Sequence, residues 1–254
     1  MLAYRRVALV VPTLNEGESI SGALGVVPRD IIDRIVVADG GSQDETAVRA
    51  RAAGAEVLHV GRGYGRACWE GALKGAEDCD VICFMDGDGA DRVDIIADLV
   101  RPIVRGEQDF VLGSRTRGER APGSMGVHQM LAGRIVGWAL ALSTGVLYSD
   151  MSALRAIRRD ALLALGMREM EFGWNVEMQV RAAREGLRVL EVPVPYSRRL
   201  GGRSKVAGSL RGTAKASIHI VSTLARVLRE PAGPRPDGRS VEGVKEAIRS
   251  AHKS

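Results

Sequence analysis

The sequence predicts an α/β domain with a mainly parallel central sheet flanked by helices. Short apolar runs alternate with amphipathic segments between residues 7 and 113, which is typical of parallel strands joined by crossover helices. Several runs end directly in Asp or Gly, and ligands bind at the carboxyl ends of such strands. The 254 residues suffice for one such domain over residues 1–212, followed by a helical extension and polar tail over residues 213–254.

Hydrophobic periodicity gives the elements of the first half in order. Apolar runs predict strands over Val7–Val11, Ile35–Ala38, Glu56–Val60, Val81–Met85 and Phe110–Gly113. Amphipathic spacing predicts intervening helices over Glu16–Leu24, Asp44–Ala53, Tyr64–Gly75 and Val93–Val104. We expect Asp44 to cap its helix and Gly54 to end it, because a short acidic side chain and a glycine suit those two positions.

The second half of the chain is less regular. Residues 114–126 predict a long loop rich in Gly and Arg, and residues 200–208 a second loop rich in Gly, Ser and Lys. Helices are expected over Val127–Ser143, Asn175–Glu185 and Ala214–Leu228, and strands over Met151–Ile157 and Arg188–Val192. In the last helix Ile220, Leu224 and Val227 share one apolar face with Val221 and Leu228 beside them, which suits packing on the domain or contact with a membrane.

Composition excludes several classes of function. Aromatic residues make up only 4% of the chain, too few for a stacking platform for nucleic acid, so we expect no nucleic-acid partner. No signal peptide and no apolar segment of bilayer length is visible, which favours a cytoplasmic protein or one bound peripherally at the inner face of the membrane. Cys68, Cys79 and Cys83 lack zinc-ligand spacing and are expected to be reduced and buried. His59 and the other histidines form no metal-spaced cluster and lie apart from the motifs that carry the candidate site residues, so we expect structural or surface roles for them.

Charge is uneven along the chain. From Arg198 to the end there are 13 Lys and Arg side chains against 4 Asp and Glu. Such a basic segment indicates an anionic partner such as a phosphate or lipid headgroup, although a solvated basic face would have the same composition.

The most informative motif is Asp86-Gly87-Asp88, which follows the apolar run Val81–Met85. Two carboxylates at the carboxyl end of a strand suit a hard divalent cation that also binds a diphosphate, and a glycine between them allows close backbone approach. Two other strand ends are polar, at Pro12-Thr13-Leu14-Asn15-Glu16 and Asp39-Gly40-Gly41-Ser42. Glu16 and Asp39 could accept hydrogen bonds from a base and ribose, although each segment alone could be a helix start or a turn.

Together these motifs resemble the inverting GT-A glycosyltransferases of glycosyltransferase family 2. The resemblance lies in Pro12-x-x-Asn15-Glu16, Asp39-Gly-x-Ser-x-Asp44-x-Thr46 and Asp86-x-Asp88. Three later segments resemble the dolichyl- or polyprenyl-phosphate mannosyltransferase branch: Phe172-Gly173-Trp174-x-x-Glu177, Glu191-Val192-Pro193-Val194-x-Tyr196 and Arg199-x-Gly201-Gly202-x-Ser204-Lys205. The resemblance implies the GT-A fold and transfer of a hexose from a nucleoside-diphosphate sugar, GDP- or UDP-hexose, to an acceptor, foremost a polyprenyl phosphate.

The resemblance also implies roles for individual residues. The nucleotide sugar would be bound by Pro12, Thr13, Asn15, Glu16, Asp39, Gly40, Asp86, Gly87 and Ser204. Asp86 and Asp88 would hold the cofactor, Mg²⁺ or Mn²⁺. The catalytic residues would be Asp150, Arg115, Arg199 and Lys205, with Arg115 on the acceptor or sugar side and the other two basic residues in a loop that closes over phosphate.

Several alternatives remain open at this stage. The acceptor could be a soluble hydroxyl compound, for which Asp150 or Glu177 would serve as general base, whereas a phosphate acceptor needs no deprotonation and leaves Asp150 a positioning role. Glu177 could instead form a salt bridge with Arg181 one turn later. The chain departs from the family pattern at Ala90, where a polar residue is common, and we expect in it none of the transmembrane helices that many relatives have. Two other classes of function also remain open: a sugar-phosphate nucleotidyltransferase, and a non-catalytic module that binds anionic lipid or nucleotide.

Overall fold

A mixed sheet lies at the centre of the computed structural model, which describes residues 6–119, 121, 137, 141, 146–201 and 210–230, without the side chains of residues 210–216. Within this part of the chain the sheet has seven strands: β1 (Val7–Thr13), β2 (Arg34–Asp39), β3 (Glu56–His59), β4 (Val81–Phe84), β5 (Phe110–Ser114), β6 (Arg155–Arg158) and β7 (Val189–Pro193). Their order is β3-β2-β1-β4-β6-β5-β7, and only β6 runs antiparallel to its neighbours. The predicted α/β class with a mainly parallel sheet is confirmed.

Helices cover both faces of the sheet. They are α1 (Ile20–Gly25), α2 (Thr46–Ala52), α3 (Tyr64–Glu70, continued by a π-helical turn over Gly71–Gly75), α4 (Ile96–Val104, preceded by a 3₁₀ turn over Val93–Ile95), α5 (Arg159–Ala164), α6 (Trp174–Arg184) and α7 (Leu210–Arg229). The prediction that the first helix begins at Glu16 is wrong, because the segment before Ile20 forms turns. Helix α5 was not expected, and the predicted helix Val127–Ser143 lies almost entirely outside the described residues.

The central strands are apolar throughout because both of their faces are covered. All seven residues of β1 are buried. On one face Phe84 meets Trp174 edge-on, with ring centroids 6.3 Å apart. On the other face Ile20 and Leu99 pack beneath the same strands. Burial of each such large side chain stabilises the fold by about 1.5–3 kcal/mol. The packed core therefore holds the carboxyl ends of the central strands in fixed positions.

Helix α7 packs on the domain through its apolar face. Val227 is buried in the core beneath the sheet, and Ile220, Leu224 and Leu228 pack against that core. Val221, which was expected beside this face, is 63% exposed. Among the described residues, no helix is long and apolar enough to span a bilayer.

The three cysteines agree with the expectation for reduced thiols. Cys68, Cys79 and Cys83 are all free and buried. Burial raises the pKa of each thiol, that of Cys79 to about 11, so none is ready to act as a nucleophile near neutral pH.

Candidate active site

A pocket of about 490 Å³ opens at the carboxyl ends of β1, β2 and β4. Among the predicted site residues it is lined by Pro12, Thr13, Glu16, Gly40, Asp86, Gly87, Asp88, Arg115 and Arg199. Its lining also includes the apolar side chains of Met151, Phe172 and Ile220, the last from α7. Predicted residues Ser204 and Lys205 lie outside the described part of the chain. The pocket therefore joins a polar sheet edge to an apolar surface.

The loop after β4 presents two carboxylates next to β1. A Cβ at Gly87 would lie 2.9 Å from Thr13 Cγ2, so only glycine allows this close packing. Ser19 Oγ donates a hydrogen bond to the carbonyl oxygen of Gly87 over 2.9 Å. These contacts fix the backbone between Asp86 and Asp88, and both side chains line the pocket.

Asp88 has one carboxylate oxygen that lacks a hydrogen-bond donor. Its Oδ1 accepts a bond from Ala90 N over 2.9 Å. Its buried Oδ2 has no partner with hydrogen-bond geometry, although Arg199 Nη2 lies 2.8 Å away in an ion pair. Leu200 N also donates to the backbone oxygen of Asp88, so the segment that carries Arg199 is docked on this loop. A buried anionic oxygen in this state is suited to a cation.

A third carboxylate, Asp91, was missed by sequence reasoning. Its Oδ2 accepts a hydrogen bond from Asp86 N over 3.0 Å, and the residue is buried. Burial and the charges of Asp88 and Asp91 raise the pKa of Asp86 to about 8. Burial and the charge of Asp88 raise the pKa of Asp91 to about 6. An Asp three residues beyond Asp88 is visible in the sequence, but its contact with the Asp86 backbone depends on how the loop folds back.

The site offers carboxylates but not a complete protein cage for a metal. Within the described residues, no three His, Cys, Asp or Glu side chains converge in a metal-binding group. Mg²⁺ is usually held by one or two carboxylates together with substrate phosphates and water. Asp86 and Asp88, of which Asp88 has an Oδ2 that is paired only with Arg199, therefore fit a cation whose other ligands come from a diphosphate and solvent.

Asp150 holds Arg115 in a fixed orientation. The carboxylate accepts bonds from Arg115 N, Nε and Nη2, each over 2.8 Å, and from Met151 N over 2.7 Å. Burial alone would raise the pKa of the Asp150 carboxyl, but the hydrogen bonds and charge of Arg115 outweigh it and lower that pKa. The Arg115 guanidinium also lies over the ring of Tyr196, 5.0 Å from its centroid. Asp150 is therefore a weak base, and its geometry is that of a positioning residue.

Glu177 lies away from the pocket lining, and its alternative role as a salt-bridge partner is confirmed. Its Oε1 pairs with Arg181 Nε over 3.0 Å and with Arg226 Nη2 over 3.1 Å. Its Oε2 accepts bonds from the backbone of Arg168 and Glu169. The side chain is fully buried, and its pairs with Arg181 and Arg226 join α6 to α7. Since both oxygens have partners, neither is free to act as a base.

Two loops at the sheet edge are joined by hydrogen bonds between the predicted motifs. Asn15 N donates to Ser42 Oγ, and its Oδ1 accepts from Gln43 N, each over 2.8 Å. Glu16 N donates to Thr46 Oγ1 over 2.8 Å. Asn15 adopts a φ of 50°, a left-handed conformation that Asn tolerates better than most residues. Asn15 thus lies outside the main pocket lining and connects the two loops that frame it.

Asp44 serves the same connection. Its Oδ2 accepts a bond from Gly17 N over 2.9 Å, and its Oδ1 accepts one from Thr46 N over 3.0 Å. The expectation that Asp44 is the capping residue of α2 is wrong, because the N-cap position is Glu45, which makes no side-chain capping bond. Asp44 instead accepts from the first residue of the helix and fixes the loop after β1.

Asp39 and His59 form a pair at the adjoining ends of β2 and β3. Asp39 is buried, and its carboxylate accepts bonds from Ser42 N and from the hydroxyls of Ser42 and Thr13. Nδ1 of His59 lies 3.2 Å from Asp39 Oδ2. The expectation that His59 lies apart from the motifs is wrong, because strand register places it directly opposite Asp39.

Comparison with known proteins identifies the family. Residues 8–164 match the family model described as glycosyl transferase family 2. The chain belongs to this family. It is 36% identical over 222 residues to an uncharacterized glycosyltransferase of Mycobacterium tuberculosis, covering 85% of this chain and 97% of that protein. It is 33% identical over 231 residues to the undecaprenyl-phosphate mannosyltransferase of Micrococcus luteus, covering 84% and 92%.

A solved structure supports the fold of this glycosyltransferase. Glucosyl-3-phosphoglycerate synthase from Mycobacterium tuberculosis, in complex with Mn²⁺, uridine diphosphate and glucosyl-3-phosphoglycerate, matches with a TM-score of 0.70. The identity is 24%, over 90% of this chain and 82% of that one. The predicted GT-A fold and the predicted enzyme class, a glycosyltransferase, are confirmed.

Proposed function

We propose that this glycosyltransferase transfers a hexose, with inversion, from GDP- or UDP-hexose to a polyprenyl phosphate. The observation that carries the proposal is the pocket itself, where the fixed guanidinium of Arg115 and apolar side chains such as Met151, Phe172 and Ile220 line one cavity. A lipid phosphate combines the two features that this lining matches, an anionic head and an apolar chain. The undecaprenyl-phosphate mannosyltransferase among the relatives supports the same acceptor class.

Asp86 and Asp88 are the residues that would hold a divalent cation, Mg²⁺ or Mn²⁺. The Oδ2 of Asp88, which accepts no hydrogen bond and is paired only with Arg199, and the raised pKa of Asp86 both favour a positive charge at this point. Such a cation, when bound, neutralises charge on the leaving diphosphate. The Mn²⁺ and uridine diphosphate in the glucosyl-3-phosphoglycerate synthase complex support this assignment.

The leaving group would also be stabilised by Arg199. This side chain lines the pocket and lies 2.8 Å from Asp88, so it is within reach of a diphosphate bound at the same loop. Arg can bind phosphate through two parallel N–H donors. We assign Ser204 and Lys205 to the same phosphate contacts, because they follow Arg199 in a Gly-rich segment. Pro12, Thr13, Glu16 and Gly40 would face the nucleoside.

In the proposed reaction a phosphate oxygen of the acceptor attacks the anomeric carbon while the bond to the nucleoside diphosphate breaks on the opposite face. An anionic phosphate needs no general base. This agrees with the state of the two carboxylates considered as bases, since Asp150 is bound to Arg115 and Glu177 to Arg181 and Arg226. Arg115, oriented by Asp150, would bind the acceptor phosphate.

Peripheral contact with a membrane would bring this acceptor to the pocket. Ile218 and Val221 on α7 are 67% and 63% exposed, and Ile220 on the same helix lines the pocket. With the basic residues after Arg198, they offer apolar and electrostatic contact to an anionic bilayer. We expect binding to vesicles that contain anionic lipid, with loss of binding at high salt. Equal binding to neutral vesicles, or none to either, would contradict this contact.

A two-acceptor assay tests the proposed function. The protein is incubated with radiolabelled UDP- or GDP-hexose and Mg²⁺ or Mn²⁺, with either undecaprenyl phosphate in detergent or phosphoglyceric acid as a soluble hydroxyl acceptor. The proposal predicts label in the lipid extract only. Label on phosphoglyceric acid alone would overturn the lipid acceptor while leaving glycosyl transfer in place. Binding of nucleotide and lipid without transfer or hydrolysis would instead favour the non-catalytic module.

A further inference from the structure

His59 is tied to the nucleotide end of the site through Asp39. Asp39 ends β2 and His59 ends β3, and the two are paired across the parallel strands. Among the described residues, His59 is the only Lys, Arg or His side chain within salt-bridge distance of the Asp39 carboxylate. The carboxylate is almost fully buried whereas the imidazole is 61% exposed, so the pair connects the protein interior with the surface beside the pocket.

Both oxygens of the Asp39 carboxylate accept hydrogen bonds from Ser42, and each has one further neighbour. Oδ1 lies 3.5 Å from Thr13 Oγ1, and Thr13 lines the pocket. Oδ2 lies 3.2 Å from His59 Nδ1, and His59 is not part of the lining. The contact with Thr13 is at the long limit for a hydrogen bond and is easily exchanged for another donor. Oδ1 keeps its bond from the Ser42 hydroxyl, and its second acceptor position can pass from Thr13 to a ligand, while His59 Nδ1 and Ser42 N hold Oδ2.

Arg51 on α2 determines which nitrogen of His59 carries the proton. Its Nη2 lies 3.4 Å from His59 Nε2. A guanidinium can only donate, so Nε2 is the acceptor of this contact and the ring proton lies on Nδ1. That tautomer donates to Asp39 Oδ2, which completes a chain of contacts from Arg51 through the imidazole to the buried carboxylate.

We propose that His59 is a positioning residue for nucleotide recognition: its Nδ1–H orients the Asp39 carboxylate so that Oδ1 accepts a hydrogen bond from the nucleoside. The inference rests on the proposed nucleotide site and extends it to a residue outside the pocket. On this inference, binding of the nucleoside part of the sugar donor depends on His59, whereas binding of its diphosphate does not.

Binding of two matched probes tests the inference. The probes are Mn²⁺ with UDP or GDP, whichever the wild type binds more tightly, and Mn²⁺ with inorganic pyrophosphate, which lacks the nucleoside. His59→Leu removes the donor, whereas His59→Asn places an amide N–H near the position of Nδ1. Loss of one hydrogen bond to a charged but partly solvated group weakens nucleotide binding in His59→Leu about 3- to 10-fold. His59→Asn restores binding to within about 2-fold, and pyrophosphate affinity and kcat at saturating donor stay the same.

Asp39→Asn, alone and combined with His59→Leu, separates the role of His59 from the role of Asp39. If His59 acts through Asp39, His59→Leu adds nothing to the loss already caused by Asp39→Asn. Additive losses, unchanged nucleotide binding in His59→Leu, or an equal loss for pyrophosphate would each overturn the role of His59. If Asp39→Asn itself binds nucleotide normally, the assignment of Asp39 to the nucleotide fails, and the inference fails with it.

Discussion

Replacing Asp150 by Asn tests whether a buried ion pair fixes Arg115, the side chain proposed to bind the acceptor phosphate. The side chain keeps its volume but loses its charge, and its amide would present N–H groups to the donors of Arg115. Asp150 is 3% exposed and accepts four hydrogen bonds, three of them from Arg115. Removing one partner of a buried pair leaves the other uncompensated and costs about 3–5 kcal/mol. We expect a loss of at least about 3 kcal/mol in the free energy of unfolding, or about 6–12 °C in Tm for a domain of this size.

Urea unfolding followed by circular dichroism measures this loss, with Asp98→Asn as the matched control. Asp98 is 57% exposed and lies 3.8 Å from Arg101, so its replacement should change stability by less than about 0.5 kcal/mol. The double variant Arg115→Met, Asp150→Asn should recover part of the loss, because no charge remains unpaired. A loss below about 1 kcal/mol in the single variant would refute the assignment of a buried pair.

The same pair predicts a pH dependence. The pKa of Asp150 in the folded protein lies below its ordinary value, so its contribution to stability is complete above the unfolded-state pKa. That contribution is lost as pH falls through the folded-state pKa. Wild type should therefore lose its advantage over Asp150→Asn in acid, which unfolding curves between about pH 7 and pH 3 will measure. A constant difference over that range would contradict the lowered pKa.

Three further substitutions test separate parts of the site. Asp88→Asn should abolish Mn²⁺-dependent nucleotide binding in calorimetry while circular dichroism stays unchanged, and normal binding would remove Asp88 from the cation site. Arg199→Ala should weaken nucleoside diphosphate binding by up to about 1.5–3 kcal/mol without affecting the free nucleoside, and equal losses for both would indicate misfolding. Glu177→Gln should destabilise the protein by about 3 kcal/mol but leave pocket ligand affinities intact, and lost transfer in a fully folded variant would restore Glu177 as a base candidate.

Patterns local to one segment predicted much of the fold. Each predicted strand is present, although the one expected over Met151–Ile157 begins only at Arg155. Asp86 and Asp88 lie at the strand end where the apolar run Val81–Met85 placed them. Strand ends are predictable because hydrophobic runs stop where the sheet meets solvent or ligand. Helix α5 was missed because Arg159–Ala164 is a short segment whose burial depends on its neighbours.

Contacts between distant segments were not predictable in the same way. The pairing of Asp39 with His59 follows from the register of β2 and β3, which no local pattern determines. Asn15 and Asp44 have the residue types expected of ligand contacts, yet their hydrogen bonds join two loops. The choice between base and salt bridge for Glu177 depended on Arg226, which lies 49 residues further along the chain. Sequence motifs thus located the residues around the pocket, and tertiary contacts divided them into those that line it and those that support its loops.

The anomeric configuration of the lipid product tests the central claim most directly. Proton NMR of the glycosyl lipid formed from an α-linked nucleoside-diphosphate hexose and undecaprenyl phosphate reports both the acceptor and the stereochemistry. Single displacement by the acceptor phosphate predicts a β-linked hexosyl phosphate, formed by wild type and not by Asp88→Asn. An α-linked product, or a hexose linked to any atom other than a phosphate oxygen, would contradict the account.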